Sequence, residues 1–248
     1  MTAAKALREF APMRYCLAWM AMLMVLAGCS SAGGPGKTAG QGFETSQFGK
    51  SDIDRIAEAH LRSALASLQL VAEKLYRRNP REWKKGGWTG PEAAVQRLFG
   101  SRHNWRFPEL DGRFGADAVH LALNADYPGD RVFALIAGLG GMTLAAFNER
   151  YEFFITDDLD PQRLYNAARN VEIAAWKLAN AKGPDGVPLL LSNEWGPPAN
   201  LSFEREFGRL IGNLDMISAI IADKTNRTVV KVVQTMATAV FLPVAGLK

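Results

Sequence analysis

Residues 130–147 read Asp-Arg-Val-Phe-Ala-Leu-Ile-Ala-Gly-Leu-Gly-Gly-Met-Thr-Leu-Ala-Ala-Phe, and from Val132 onward the only polar side chain is Thr143. A helix that is apolar all round belongs in a protein core or in a membrane. The run Val132–Phe147 has 16 residues, whereas a span needs about 20. It therefore reads as a buried central helix, opening near Asp130 and running on toward Phe154. Gly138, Gly140 and Gly141 stand inside it. Each glycine costs a helix interior up to about 1 kcal/mol against alanine. Close packing of a neighbouring helix offsets that cost, because small residues such as the pair Ala137 and Gly141 let backbones approach.

If one helix is buried on every side, others must cover it, and the flanking sequence supplies amphipathic candidates. Ser51 with Asp54 three residues on forms an acidic capping box. Ile53, Ala57, His60, Ala64, Leu68, Val71 and Leu75 then follow helical spacing up to the Asn79-Pro80 stop. Pro91 opens a short helix over 93–99, residues 100–114 read as irregular, and Ala116–Ala125 reads as helical. Asp160-Pro161 is a cap followed by a first-turn proline, and Leu164, Ala168, Val171, Ala175 and Leu178 mark the buried stripe behind it. Ser202 reads as the cap of a helix whose core face is Phe203, Phe207, Leu210, Leu214, Ile217 and Ile221. A last helix is predicted from Thr228 to Pro243. Val187–Leu191 is the one segment with strand character, and one strand makes no sheet. The reading is an all-α domain, an irregular bundle of six to eight helices over residues 51–248.

The N-terminus carries the clearest signal about location. Arg14 precedes an apolar run from Tyr15 to Leu26, which ends in Leu26-Ala27-Gly28-Cys29. A charged start, a short apolar stretch and small residues before a break define a secretory signal. With the cysteine next, the segment resembles the lipobox of bacterial lipoproteins. The resemblance implies that residues 1–28 are removed and that Cys29 is lipidated, attaching the chain to a membrane. Ser30 at the following position implies the outer membrane under the lipoprotein sorting rule. Residues 29–50 begin Cys-Ser-Ser-Ala-Gly-Gly-Pro-Gly and read as a Gly/Ser-rich flexible tether.

Charge and cysteine usage narrow the function classes. Lys5, Arg8 and Arg14 against Glu9 put two of the four net positive charges into residues 1–28, so the high pI is no argument for nucleic acid. Cys16 leaves with the signal and Cys29 takes the lipid, which removes disulfides, cysteine catalysis and cysteine-bound metal from the remaining domain. Gly33–Thr38 lacks the first glycine and the preceding strand of a phosphate-binding loop. His60 lies on an apolar stripe, and His103 and His120 have no ligand-spaced partner. Asp157, Asp158 and Asp160 suit the positive end of a helix dipole. No catalytic, metal or cofactor motif stands out.

The most distinctive stretch is Tyr76-Arg77-Arg78-Asn79-Pro80-Arg81-Glu82-Trp83-Lys84-Lys85, with Trp88 beyond: five cations and three aromatics within 13 residues. Cations are expected at a helix C-terminus. Arginines also grip anionic groups bidentately, and tryptophan suits a membrane interface. Arg77, Arg78, Arg81, Trp83, Lys84 and Lys85 are thus the candidate patch for an anionic ligand or partner. The segment is similar to a Lys-Leu-Tyr-Arg-Arg-Asn-Pro-Arg-Glu stretch in uncharacterised proteobacterial lipoproteins, a likeness of about a dozen residues that brings no activity with it. The expectation is an outer-membrane lipoprotein facing the periplasm, acting as a scaffold or accessory protein with an envelope protein partner. The alternatives are a carrier of an apolar ligand in a closed cavity, and an envelope-modifying enzyme.

Overall fold

The computed structural model describes residues 50–194 and 196–245. The lipobox, the tether and Gly33–Thr38 lie outside the described residues. Among the described residues seven α-helices run in chain order: α1 Asp52–Arg78, α2 Pro80–Lys85, α3 Pro91–Phe99, α4 Ala116–Ala122, α5 Arg131–Ala146, α6 Pro161–Asn180 and α7 Ser202–Thr225. Among the described residues there is no strand, only the isolated bridges Lys182–Pro188 and Glu194–Asn200. Among the described residues, no helix is long and apolar enough to cross a membrane.

Helix α5 is the axis of the domain, and all 16 of its residues are buried. Helices α1, α4 and α6 pack directly on it, while α7 closes the far side against α1 and α6. The glycines mark the closest approaches. A Cβ on Gly138 would lie 2.6 Å from the Gly115 carbonyl oxygen, and one on Gly140 would lie 2.2 Å from the Trp105 ring. Trp105 sits in the segment read as irregular. That segment has no helix beyond the single turn Pro108–Leu110, yet it sends Trp105, Phe107 and Leu110 into the core. Trp105 has φ 59, a left-handed conformation that costs a bulky residue of order 1–2 kcal/mol. It is held there by its own N–H donating to His103 Nδ1 at 2.9 Å and its indole N–H donating to the Tyr151 hydroxyl at 3.1 Å.

The capping box at Ser51 and Asp54 is present, as is the Asp160 cap with Pro161 behind it. Four local expectations fail. Helix α5 stops at Ala146, because Asn148 and Glu149 turn left-handed and fold the chain back. Phe153 then enters the core with its N–H on the buried Glu58 carboxylate at 2.9 Å. Ser202 is the first residue of α7 and makes no cap. Only Asp160 of the acidic group caps a helix: Asp157 pairs with Arg150 and Asp158 with Arg227.

The fourth failure is the largest. Residues 228–243 form no α-helix; they run as a strap along α6, interrupted by the single turn Met236–Thr238. The run is rich in Val and Thr, which lose χ1 freedom in a helix. Its backbone is satisfied by side-chain amides standing in for strand partners. Gln162 bonds both the N–H (2.7 Å) and the C=O (3.1 Å) of Val230. Gln234 does the same for Val240 and Asn170 for Leu242. Asn79 holds Leu191 in the same way, while Val187 and Leu189 of the segment with strand character bond the backbone of Gly183 and Ala181 around the Lys182–Pro188 bridge.

Asn170 is fully buried, and its two bonds to Leu242, at 2.6 and 2.8 Å, fasten the end of the strap. Asn170→Ala leaves both backbone groups without a partner, at about 1–3 kcal/mol. We expect trypsin to cut after Lys231 markedly faster in Asn170→Ala than in the wild type. An unchanged cleavage rate would show that the side-chain amide does not hold the strap.

Candidate functional site

The cation-rich stretch folds as the end of α1, a turn at Asn79 and the short helix α2. Asn79 makes the break: its side chain bonds the Leu75 carbonyl behind it and Leu191 across from it. Pro80 then starts α2 at a position where no N–H is needed.

The structure divides the six candidate residues into two groups. Arg78 is used internally, pairing with Glu194 at 3.1 Å, and Lys85 pairs with the buried Glu82 at 2.7 Å. Trp83 is half-buried against the core, with the Lys84 ammonium 5.4 Å from its ring centroid. Arg77, Arg81 and Lys84 are exposed, and none has an ion-pair partner among the described residues. Arg77 also borders a groove of about 310 Å³ between α1 and α3, lined by Glu73, Pro91, Glu92, Val95 and Gln96.

Behind this face lies a buried polar cluster that anchors it to α5. Glu82 accepts the Arg131 N–H at 2.8 Å, so a residue of the cationic stretch satisfies one of the orphan donors at the start of the central helix. Asp130 caps the same helix, accepting from the Phe133 N–H and the Tyr76 hydroxyl, both at 2.9 Å. Burial pushes the Asp130 carboxyl up to about 6, with the Glu82 charge adding to the rise and the bonds from Phe133 and Tyr76 opposing it. The Tyr76 hydroxyl is pushed far above its ordinary value by burial and then by Asp130. Burial also raises Tyr127, whose ring lies 5.9 Å from the Arg131 guanidinium. That guanidinium caps the other end of α4, donating to the carbonyls of Ala122 (2.9 Å), Asn124 and Ala125 (2.8 Å). Every member of this cluster is occupied by another, which makes it a support for the cationic face.

The histidines do not converge. His60 is half-buried on α1 with Nδ1 unbonded, and His120 is exposed on α4, its ring 5.1 Å from Phe241. Both nitrogens of His103 are engaged, one by the Leu98 carbonyl and one by the Trp105 N–H. Among the described residues, no three His, Cys, Asp or Glu side chains stand close enough to share a metal ion. The larger grooves lie at the surface. One of about 390 Å³ is bordered by Arg62, Leu65, Phe99, Arg102 and Tyr151, and one of about 470 Å³ by Trp176, Phe207, Ile211 and Met236.

Sequence reasoning found the cationic stretch but missed its partners. The long-range bonds of Glu82, Arg78 and Asn79 reach 49, 116 and 112 residues along the chain, and no local pattern reports them. The molecule is thus an all-α domain wound on a buried glycine-rich helix, carrying an unpaired cationic face on a braced helix turn. No family model matches this chain, and no curated protein or solved structure matches it significantly.

Proposed function

We propose that this chain is a bacterial lipoprotein held at the outer membrane through acyl chains on Cys29, with residues 29–50 as its tether and its helical domain facing the periplasm. It acts there as a scaffold or accessory protein that docks an envelope protein partner. The sequence Leu26-Ala27-Gly28-Cys29 supports the anchoring. Each buried acyl methylene contributes about 0.8 kcal/mol, so more than one chain gives lasting attachment.

The observation that carries the docking role is the state of Arg77, Arg81 and Lys84. Several surface arginines elsewhere are matched with acids, as in Arg97–Glu109, Arg102–Glu152 and Arg106–Glu149, while Arg55 and Arg113 stand exposed and singly without an ion pair among the described residues. These three are left unmatched on a turn braced from behind by Glu82 and Asn79. A rigid, unmatched cationic face suits an anionic surface on a partner, where charge guides encounter and register.

The test uses the full-length acylated protein. We expect Arg77→Ala, Arg81→Ala and Lys84→Ala combined to reduce recovery of a crosslinked partner from cells at least about tenfold, as expected when several interface charges are removed together. Arg97→Ala, which breaks a matched pair, should leave recovery unchanged. Undiminished recovery from the triple variant overturns this face as the docking site. Membrane retention of Cys29→Ser at the wild-type level overturns the anchoring.

A further inference from the structure

We infer that the strap offers a second docking edge, at Val229–Val233, which takes an extended acidic segment of another protein as an added strand. The inference goes beyond the cationic face and stands independently of it. The segment reads Val-Val-Lys-Val-Val. In an extended chain the N–H and C=O of alternate residues point to opposite sides. Here the even residues face α6: Val230 is bonded on both groups by Gln162, and the Val232 N–H reaches the Tyr165 hydroxyl at 3.3 Å. The odd residues Val229, Lys231 and Val233 present their backbone groups to the other side, with no partner among the described residues.

The side chains agree with the backbone. Val230 is 67% exposed and Val233 is 96% exposed. Folded proteins normally protect an open edge lined with β-branched residues, because it invites strand pairing. Here α6 side chains hold the backbone of Val230 and Val232 on one side, and the backbone groups of Val229, Lys231 and Val233 have no partner among the described residues, which is the open edge that strand-addition recognition uses. The charge selects the occupant. Lys231 is exposed at the centre of the edge without an ion-pair partner among the described residues, and Lys224 stands exposed in the last turn of α7 just before it. Antiparallel pairing of two copies centred here sets Lys231 against Lys231, and like charges directly opposite are destabilising. A segment with a carboxylate opposite Lys231 gains where a second copy loses.

The probes are two blocked synthetic peptides of about nine residues, alternating valine with threonine, one with a central glutamate and one with a central lysine. Binding is read by fluorescence anisotropy and by amide hydrogen exchange in the intact protein. We expect the glutamate peptide to bind about five- to tenfold tighter than the lysine peptide, as opposite-charge and like-charge cross-strand pairs differ. It should slow exchange at Lys231 and Val233 while leaving Val230 and Val232 as they were. Val233→Pro removes one free donor without touching the Gln162 bonds and should abolish this binding with the melting temperature unchanged. The proposal is overturned by equal affinity for both peptides, by no binding, or by undiminished binding to Val233→Pro. Slow exchange at Lys231 and Val233 in the protein alone also overturns it: loss of that protection on dilution would assign the edge to a second copy, and loss on deleting residues 30–49 would assign it to this chain's own N-terminal segment.

Discussion

Replacing Gly138 by alanine is expected to lower the unfolding free energy by about 2 kcal/mol, although alanine is the better helix former. The added Cβ would meet the Gly115 carbonyl oxygen at 2.6 Å, Val119 Cγ2 at 2.7 Å and the Val119 N at 2.8 Å. Two of these are backbone atoms at the start of α4, so no rotamer change relieves the contact. Gly115 itself has φ 56 and sits in a turn that fixes where α4 begins. Helix α4 must therefore move away from α5 as a unit. Overpacking of this kind costs about 1–3 kcal/mol and sometimes more, and the gain in helix propensity returns at most about 1 kcal/mol. For a domain of this size a net loss of about 2 kcal/mol lowers the melting temperature by roughly 4–8 °C. Gly208 and Gly212 on α7 form the control. Both are exposed, and a Cβ at either meets nothing within 4 Å. Alanine there should raise stability by up to about 1 kcal/mol each. Thermal unfolding of the three variants tests the idea, and a Gly138→Ala melting temperature at or above wild type would show that α4 yields without cost.

The same contrast explains what could be read in the sequence. Glycines inside an apolar run mean close packing, and that much was legible at Gly138 and Gly140. Which surface comes close was not: Gly115 and Trp105 approach from loops without periodicity. Amphipathic helices announce themselves because each residue's neighbour is three or four positions away, and the buried faces of α1, α6 and α7 fell close to the predicted stripes, with Ile53, His60 and Ala175 only half-buried. The strap was misread for a physical reason. Thr228–Pro243 reads by hydropathy as a 16-residue apolar helix, yet its β-branched composition argued for an extended chain. An extended chain needs ladder partners, and no second strand is present among the described residues. The partners are carboxamides on Gln162, Asn170 and Gln234, single side chains that imitate a peptide group. Buried Asn166 and Asn170, four apart on α6, were the available sign that this face does not meet an apolar neighbour. The cationic face was visible as composition, while its division into braced and free cations depended on contacts with Glu194 and Glu82 that only the folded chain supplies.

Asp130 should give the protein a pH dependence opposite in sign to that of a salt-bridged carboxylate. Its carboxyl is buried beside Glu82 and raised to about 6, against about 3.9 in the unfolded chain. Between about pH 4 and pH 6 the folded protein holds this proton while the unfolded chain has released it. Unfolding free energy from this group therefore falls as pH rises through that window and is flat above it. The whole effect is up to about 2–3 kcal/mol, at 1.36 kcal/mol per pH unit. Glu206 works the other way: burial pushes its carboxyl up, but Lys74, Arg209 and Arg205 together hold it below the usual range. Its stabilisation is present above the unfolded value and is lost as pH falls through the folded one. The wild-type curve mixes the two, so Asp130→Asn is the reference, since its amide oxygen can still accept from the Phe133 N–H, its amide N–H can donate to the Tyr76 oxygen in place of the bond Tyr76 now gives, and it cannot titrate. The wild type should be most favoured over Asp130→Asn near pH 4 and lose that advantage by pH 6.5, measured by urea unfolding at several pH values. Asp130→Ala strips the α5 cap, worth about 1 kcal/mol, and leaves the buried Tyr76 hydroxyl without its acceptor, at about 1–3 kcal/mol more. A destabilisation of about 3 kcal/mol is expected at pH 7. A difference between wild type and Asp130→Asn that stays constant from pH 4 to 6.5 would mean that the carboxyl is ionised throughout, and that the Tyr76 and Phe133 donors outweigh its burial.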